Sequence, residues 1–110
     1  MAVPVFFIKK KDSKLCLVQD YRALNAMTIK NKYPLPLIPK LIPKLCGAKY
    51  FTKLDVRWSF NNVCIKEGDE WKAVFWMNCG LFKPLVMYFG LMNNPATFQT
   101  MMDGIFKDLI

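Results

Sequence analysis

Apolar residues dominate Pro4–Lys10 and Lys14–Gln19, with β-branched and aromatic side chains and imperfect alternation, so two β-strands joined by the turn Lys11-Asp12-Ser13 are predicted. Residues 20–28 suit a helical turn, and Lys30–Pro39 is a loop stiffened by Pro34, Pro36 and Pro39. A tandem LIPK follows (Leu37–Lys44), too short for a repeat architecture. Pro39 suits the first turn of a short helix reaching Leu45, but Pro43 removes a hydrogen bond and clashes one turn back, which costs about 3 kcal/mol in a helix interior. Gly47 ends that helix, and Lys49–Asp55 reads as a central strand. Cys64–Lys66, Trp71–Met77 and Leu81–Met87 are further predicted strands, with Glu67-Gly68-Asp69-Glu70 as a turn. A last helix is expected to start with Asn94 as cap and Pro95 in the first position. Ala96, Phe98, Met102, Ile105, Phe106 and Leu109 would form its apolar face. Strands and helices mix along the chain, so the fold class is α+β.

At 110 residues and 54% hydrophobic composition the chain suits one packed domain rather than a disordered one. Lys83 interrupts the richest apolar run, Leu81–Met92, and nothing approaches the ~20 residues of a membrane span. The N-terminal charges follow the apolar residues instead of preceding them, the reverse of a signal peptide, so an intracellular, non-secreted protein is expected. Net charge is +8, from 16 bases against 8 acids, which points to an anionic partner such as nucleic acid or to a plain basic surface. Only Arg22 and Arg57 are arginines, although arginine supplies the bidentate phosphate grip. Cys16, Cys46, Cys64 and Cys79 form no CxxC pair and the chain has no histidine, so free thiols are expected rather than a zinc site.

One carboxylate stands where chemistry could follow. Asp55 ends the apolar stretch Tyr50-Phe51-Thr52-Lys53-Leu54, and Phe60 lies five residues on. Phosphoryl transfer to a growing strand uses two Mg²⁺ ions about 4 Å apart, held by hard oxygen ligands. A single aspartate could equally cap a helix or sit in a turn. The flanking text decides between these. PVFFIKKKD, DYRALN, KNKYPLPLIP, GAKYFTKLDVRWSFNN, IKEGDEWKAVF, GLFKPLVMYFGL and NPATFQTMM occur in this order, and together they resemble the reverse transcriptase of Gypsy-type LTR retrotransposons over nearly all of the chain.

The resemblance implies roles. Asp55 matches the first catalytic, metal-holding aspartate and Val56 the neighbour whose backbone carbonyl helps hold Mg²⁺. Phe60 matches the aromatic gate that rejects a ribose 2′-hydroxyl, and Lys10 the lysine that reaches the incoming dNTP. Phe89 and Gly90 match the loop lining nucleotide and template, and Asn25 and Pro95 fall where the template strand is held. Core or turn packing is the plain alternative for Phe60, Phe89 and Pro95. The implied architecture is a partial right-hand polymerase over residues 1–110. In it, about 1–48 and 63–92 are fingers-like and connecting, and about 49–62 and 93–110 are palm-like.

The stretch ends before the Tyr/Phe-x-Asp-Asp hairpin, the rest of the palm, the thumb and any RNase H, so it is not expected to polymerise as a monomer. Template-primer and dNTP are the implied partners, with no membrane. Two other readings stay open: a non-catalytic nucleic-acid-binding remnant gripping phosphates through Lys9, Lys10, Lys11 and Lys14, and a decayed element without a biochemical role, its apolar edges exposed. Departures from the family pattern bear on this. Cys16 replaces an arginine that grips the triphosphate, which a thiol cannot imitate. Cys64, Cys79 and Trp76 also replace arginines, Met77 and Met92 threonines, Ser13 and Ser59 glycines, and Lys40 and Lys83 glutamates, while Pro43 replaces a residue that would continue its helix. Most of these are single C-to-T changes on one strand or the other, the expected trace of cytosine-directed mutation.

Overall fold

The computed structural model describes residues 2–109. Two strands, β1 (Val3–Lys9) and β2 (Leu15–Gln19), pair antiparallel from Val5↔Gln19 to Lys9↔Leu15. Their turn closes through Lys10 N–H to Lys14 C=O at 2.8 Å and Ser13 N–H to Lys10 C=O at 3.0 Å. Ser13 adopts φ 65°, a left-handed conformation that favours glycine. Helix α1 (Arg22–Met27) follows, and then α2 (Ile38–Leu41), which tightens into a 3₁₀ turn over Ile42–Leu45. The predicted single helix is therefore split, at the point where Pro43 withholds its N–H. Strands β3 (Phe75–Met77) and β4 (Gly80–Phe82) form a hairpin, and β3 runs parallel to β1 through Val3↔Phe75 and Pro4↔Trp76. The sheet order is β2-β1-β3-β4. Helix α3 (Asn94–Ile105) closes the element order, with a short 3₁₀ turn at Lys107–Leu109.

A small core sits where α1, the sheet and the loop before β3 meet. Val3, Tyr21, Ala73 and Phe75 are buried together, with Val5, Leu24, Ile65, Met77 and Leu91 packed partly over them. Tyr21 is the largest fully buried side chain, 2% exposed, and its hydroxyl donates to the Ala73 carbonyl at 3.0 Å. Burial pushes its phenol pKa up to about 12, with Tyr88 nearby adding to the shift. Phe75 stacks on Phe82 and meets Tyr88 edge-on, at centroid distances of 5.8 and 6.2 Å.

Several predicted elements are not formed. Lys49–Asp55 carries no ladder hydrogen bonds, and residues 34–58 are exposed throughout, Tyr50 at 93% and Leu54 at 73%. A strand exists only when a neighbour accepts its backbone groups, and no described segment pairs with this one. Trp71–Met77 divides into a 3₁₀ turn at Glu70–Ala73 and the short β3. Cys64–Lys66 and Leu81–Met87 shrink to an isolated bridge, Cys64↔Val86, and to β4. The cap of α3 is Asn93 rather than Asn94, and neither side chain caps the helix. Helix α3 also stops at Ile105, so Phe106 and Leu109 lie beyond the apolar face assigned to it. The exposed segment stretches the molecule to a radius of gyration of 17.1 Å, against roughly 13 Å for a compact chain of this length.

Candidate functional site

The aromatic positions converge. A 3₁₀ turn over Ser59–Asn62 carries Phe60, whose ring meets Phe89 edge-on at 5.2 Å and Phe98 of α3 at 5.8 Å. The predicted gate and the predicted nucleotide-lining residue are thus one cluster, with Phe98 a member that sequence reasoning assigned only to a helix face. The turn leading into it is strained: Trp58 holds φ 54°, ψ 44°, which a bulky side chain rarely adopts. The Asn62 carboxamide donates to the carbonyls of Arg57 and Trp58 at 3.0 and 3.3 Å, satisfying the backbone of that turn.

The predicted template positions converge too. Asn25 Nδ2 donates to the Gly90 carbonyl at 2.7 Å, and Met92 N–H donates to Asn25 Oδ1 at 2.9 Å. Gly90 holds φ 101°, where a side chain would be strained. Pro95 lies in the first turn of α3, just after this bend. Asn94 donates to the Tyr88 carbonyl. Asn93 accepts from Asn31 N–H and donates to the Ile29 carbonyl, both at 2.9 Å. The sequence reading did not single out Asn93, although the run Asn93-Asn94-Pro95 was a visible signal for a ligated bend.

Lys10 and Cys16 lie apart from these contacts, on the β1–β2 hairpin. Lys10 is exposed at its tip, and half-buried Cys16 pairs across the ladder with Ile8. Among the described residues Asp20–Arg22 and Lys72–Asp69 are the ion pairs, so Lys9, Lys10, Lys11 and Lys14 face solvent without a carboxylate partner. Arg22 grips Asp20 through two nitrogens at 2.6 and 2.9 Å, and this holds the Asp20 carboxyl down at about 2. Asp55 is exposed, and its carboxylate makes no hydrogen bond or ion pair among the described residues. No group of three or more Asp, Glu, His or Cys among them stands close enough to hold a metal ion. Asp55 with the Val56 carbonyl is therefore an incomplete donor set for Mg²⁺.

Residues 8–110 match the model of the family described as Reverse transcriptase (RNA-dependent DNA polymerase), and the chain belongs to it. It is similar to two retrotransposon polyproteins of Schizosaccharomyces pombe. These are the Transposon Tf2-3 polyprotein, 41% identical over 104 residues, and the Transposon Tf2-7 polyprotein, 40% over 108. Those matches cover 94% and 98% of this chain but 8% of each relative, so the chain spans a small part of the proteins it resembles. It also superposes on the crystal structure of a prototype foamy virus protease-reverse transcriptase with a TM-score of 0.79 at 23% identity, over all of this chain and 15% of that one. That likeness concerns the fold: a partial polymerase fold of mixed α+β type. No helix among the described residues is long and apolar enough to cross a membrane.

Proposed function

We propose that these residues form the template- and nucleotide-facing part of an RNA-directed DNA polymerase, and that Asp55 supplies one carboxylate of a metal site completed by further residues. In this reading Phe60 and Phe89 line the incoming nucleotide, and Phe60 excludes a ribose 2′-hydroxyl by bulk. Lys10, on the hairpin tip, approaches the triphosphate. Asn25, Gly90 and Pro95 form the bend along which the template runs. The observation that carries the reading is the convergence of these positions: Phe60 on Phe89 at 5.2 Å, and Asn25 on Gly90 at 2.7 Å.

With one carboxylate present, polymerisation by this stretch alone is not expected, and no chemical step is assigned to it. What it can do is bind. Lysines free of carboxylates exchange counterions with phosphates, so affinity should fall linearly on a log–log salt plot. Replacing Lys9, Lys10, Lys11 and Lys14 by glutamine should flatten the slope by roughly 0.7–0.9 for each phosphate that is no longer neutralised. Fluorescence anisotropy with a labelled RNA–DNA template-primer measures this directly. Affinity that ignores salt between about 50 and 500 mM would remove the basis of the proposal.

A further inference from the structure

The bend 88–94 is pinned from both sides by asparagine carboxamides, and their geometry speaks to what they do. Asn25 spends its oxygen on Met92 N–H and an amide hydrogen on the Gly90 carbonyl. A side chain so engaged is poorly placed to grip a template base as well. Asn93 fastens the strand-like loop 29–31 to the start of α3 by the same two-sided contact. The fastening continues along α3: Tyr33 donates to Asp103 at 2.6 Å, and Gln99 holds the other oxygen of that carboxylate at 2.7 Å. Inside the loop, Tyr33 N–H donates to Asn31 Oδ1 at 3.0 Å, which keeps the Asn31 amide aimed at Asn93.

We infer that Asn25 and Asn93 are positioning residues: they set the path of the bend that presents Phe89, Gly90 and Pro95, and they act on template binding through that bend rather than by touching the strand. The inference rests on the proposed function for its consequence, but not for its geometry. Amides locked in hydrogen bonds exchange slowly, and a bend needing φ 101° at Gly90 has no regular ladder to hold it. Four side-chain hydrogen bonds replace the ladder, two from each carboxamide.

The test is hydrogen exchange by NMR on the 110-residue chain, read beside template affinity. Asn25→Ala should speed exchange of the Met92 amide at least tenfold and leave the Phe6 and Val18 amides, a hydrogen-bonded pair of the hairpin, unchanged. Asn93→Ala should do the same at the Asn31 amide. Affinity for an RNA–DNA duplex should fall several-fold in Asn25→Ala, and that fall should vanish in a Phe89→Ala background, because both changes act through one bend. Unchanged Met92 exchange, or an equal loss of affinity in both backgrounds, would overturn the inference. If alanine unfolds the whole chain, Asn25→Gln decides: it keeps the carboxamide one methylene further out, where it no longer meets Met92 N–H and the Gly90 carbonyl together, so Met92 exchange should quicken, and exchange equal to the parent's would overturn the inference. Absence of any duplex binding by the parent would count against the proposed function, while the exchange result would still decide the staple.

Discussion

Replacing Tyr21 by phenylalanine tests how this small core is held. Its hydroxyl donates to the Ala73 carbonyl at 3.0 Å, and the ring is 2% exposed. Phenylalanine keeps the packing and leaves that carbonyl without a partner, a cost of about 1–2 kcal/mol near neutral pH. For a chain of this size that lowers Tm by roughly 5–15 °C. The titration gives an independent check. The folded phenol is raised from 10 to about 12, so the folded state holds its proton more tightly than the unfolded one. The contribution is fully present below pH 10 and is lost as pH climbs toward 12. Two pKa steps bound it at about 3 kcal/mol. Urea unfolding of parent and variant from about pH 8 to 11.5 should show a gap of about 1–2 kcal/mol that closes above about pH 10. A gap that stays level with pH would refute the reasoning, as would a variant matching the parent at the lowest pH.

Other consequences follow from single residues. Ser13→Gly should raise stability by about 0.5–1 kcal/mol, since φ 65° suits glycine; a lowered urea midpoint would contradict it. Gln19 is 4% exposed with its Nε2 unpartnered among the described residues, so Gln19→Leu should raise Tm by a few degrees, and a drop would mean that Nε2 is satisfied after all. Asn62→Ala should release the strained turn at Trp58, seen as a red shift and stronger quenching in a chain whose Trp71 and Trp76 are replaced by phenylalanine. The Asp20–Arg22 pair should persist to pH values well below those of ordinary carboxylates. Its contribution is present above about pH 4 and lost as pH falls toward 2, followed by the Asp20 side-chain carbon shift in NMR.

The hairpin, α1 and, to within one residue, the start of α3 were legible because their signals are local: β-branched runs, a polar turn, and the Asn94-Pro95 entry. Lys49–Asp55 failed for a non-local reason. Its apolar text states that a strand can form, and only a neighbour decides whether it does. The same holds for Leu81–Met87, where Pro84 withholds a ladder donor and β4 ends at Phe82. At the site, Phe60, Phe89, Asn25 and Gly90 came from the family resemblance, and the structure brings them together. Asn93, Phe98 and Asn62 were missed because a carboxamide or an aromatic on a helix face has no distinctive pattern until its partner is known. Among the residues read from the sequence as departures from the family pattern, Cys64, Cys79 and Trp76 lie on the surface, where arginine would also fit, and Cys16 is half-buried on β2.

Primer extension on an RNA template tests the central claim most directly. These residues would replace the matched 104-residue stretch of the Tf2-3 polyprotein, so that the rest of the polymerase is supplied. The chimaera should extend the primer weakly, lose all extension with Asp55→Ala, and gain nucleotide affinity with Cys16→Arg by about 1.5–3 kcal/mol, the worth of a charged hydrogen bond. Extension that survives Asp55→Ala would show that this aspartate is not part of the metal site, and the proposed function would fall with it.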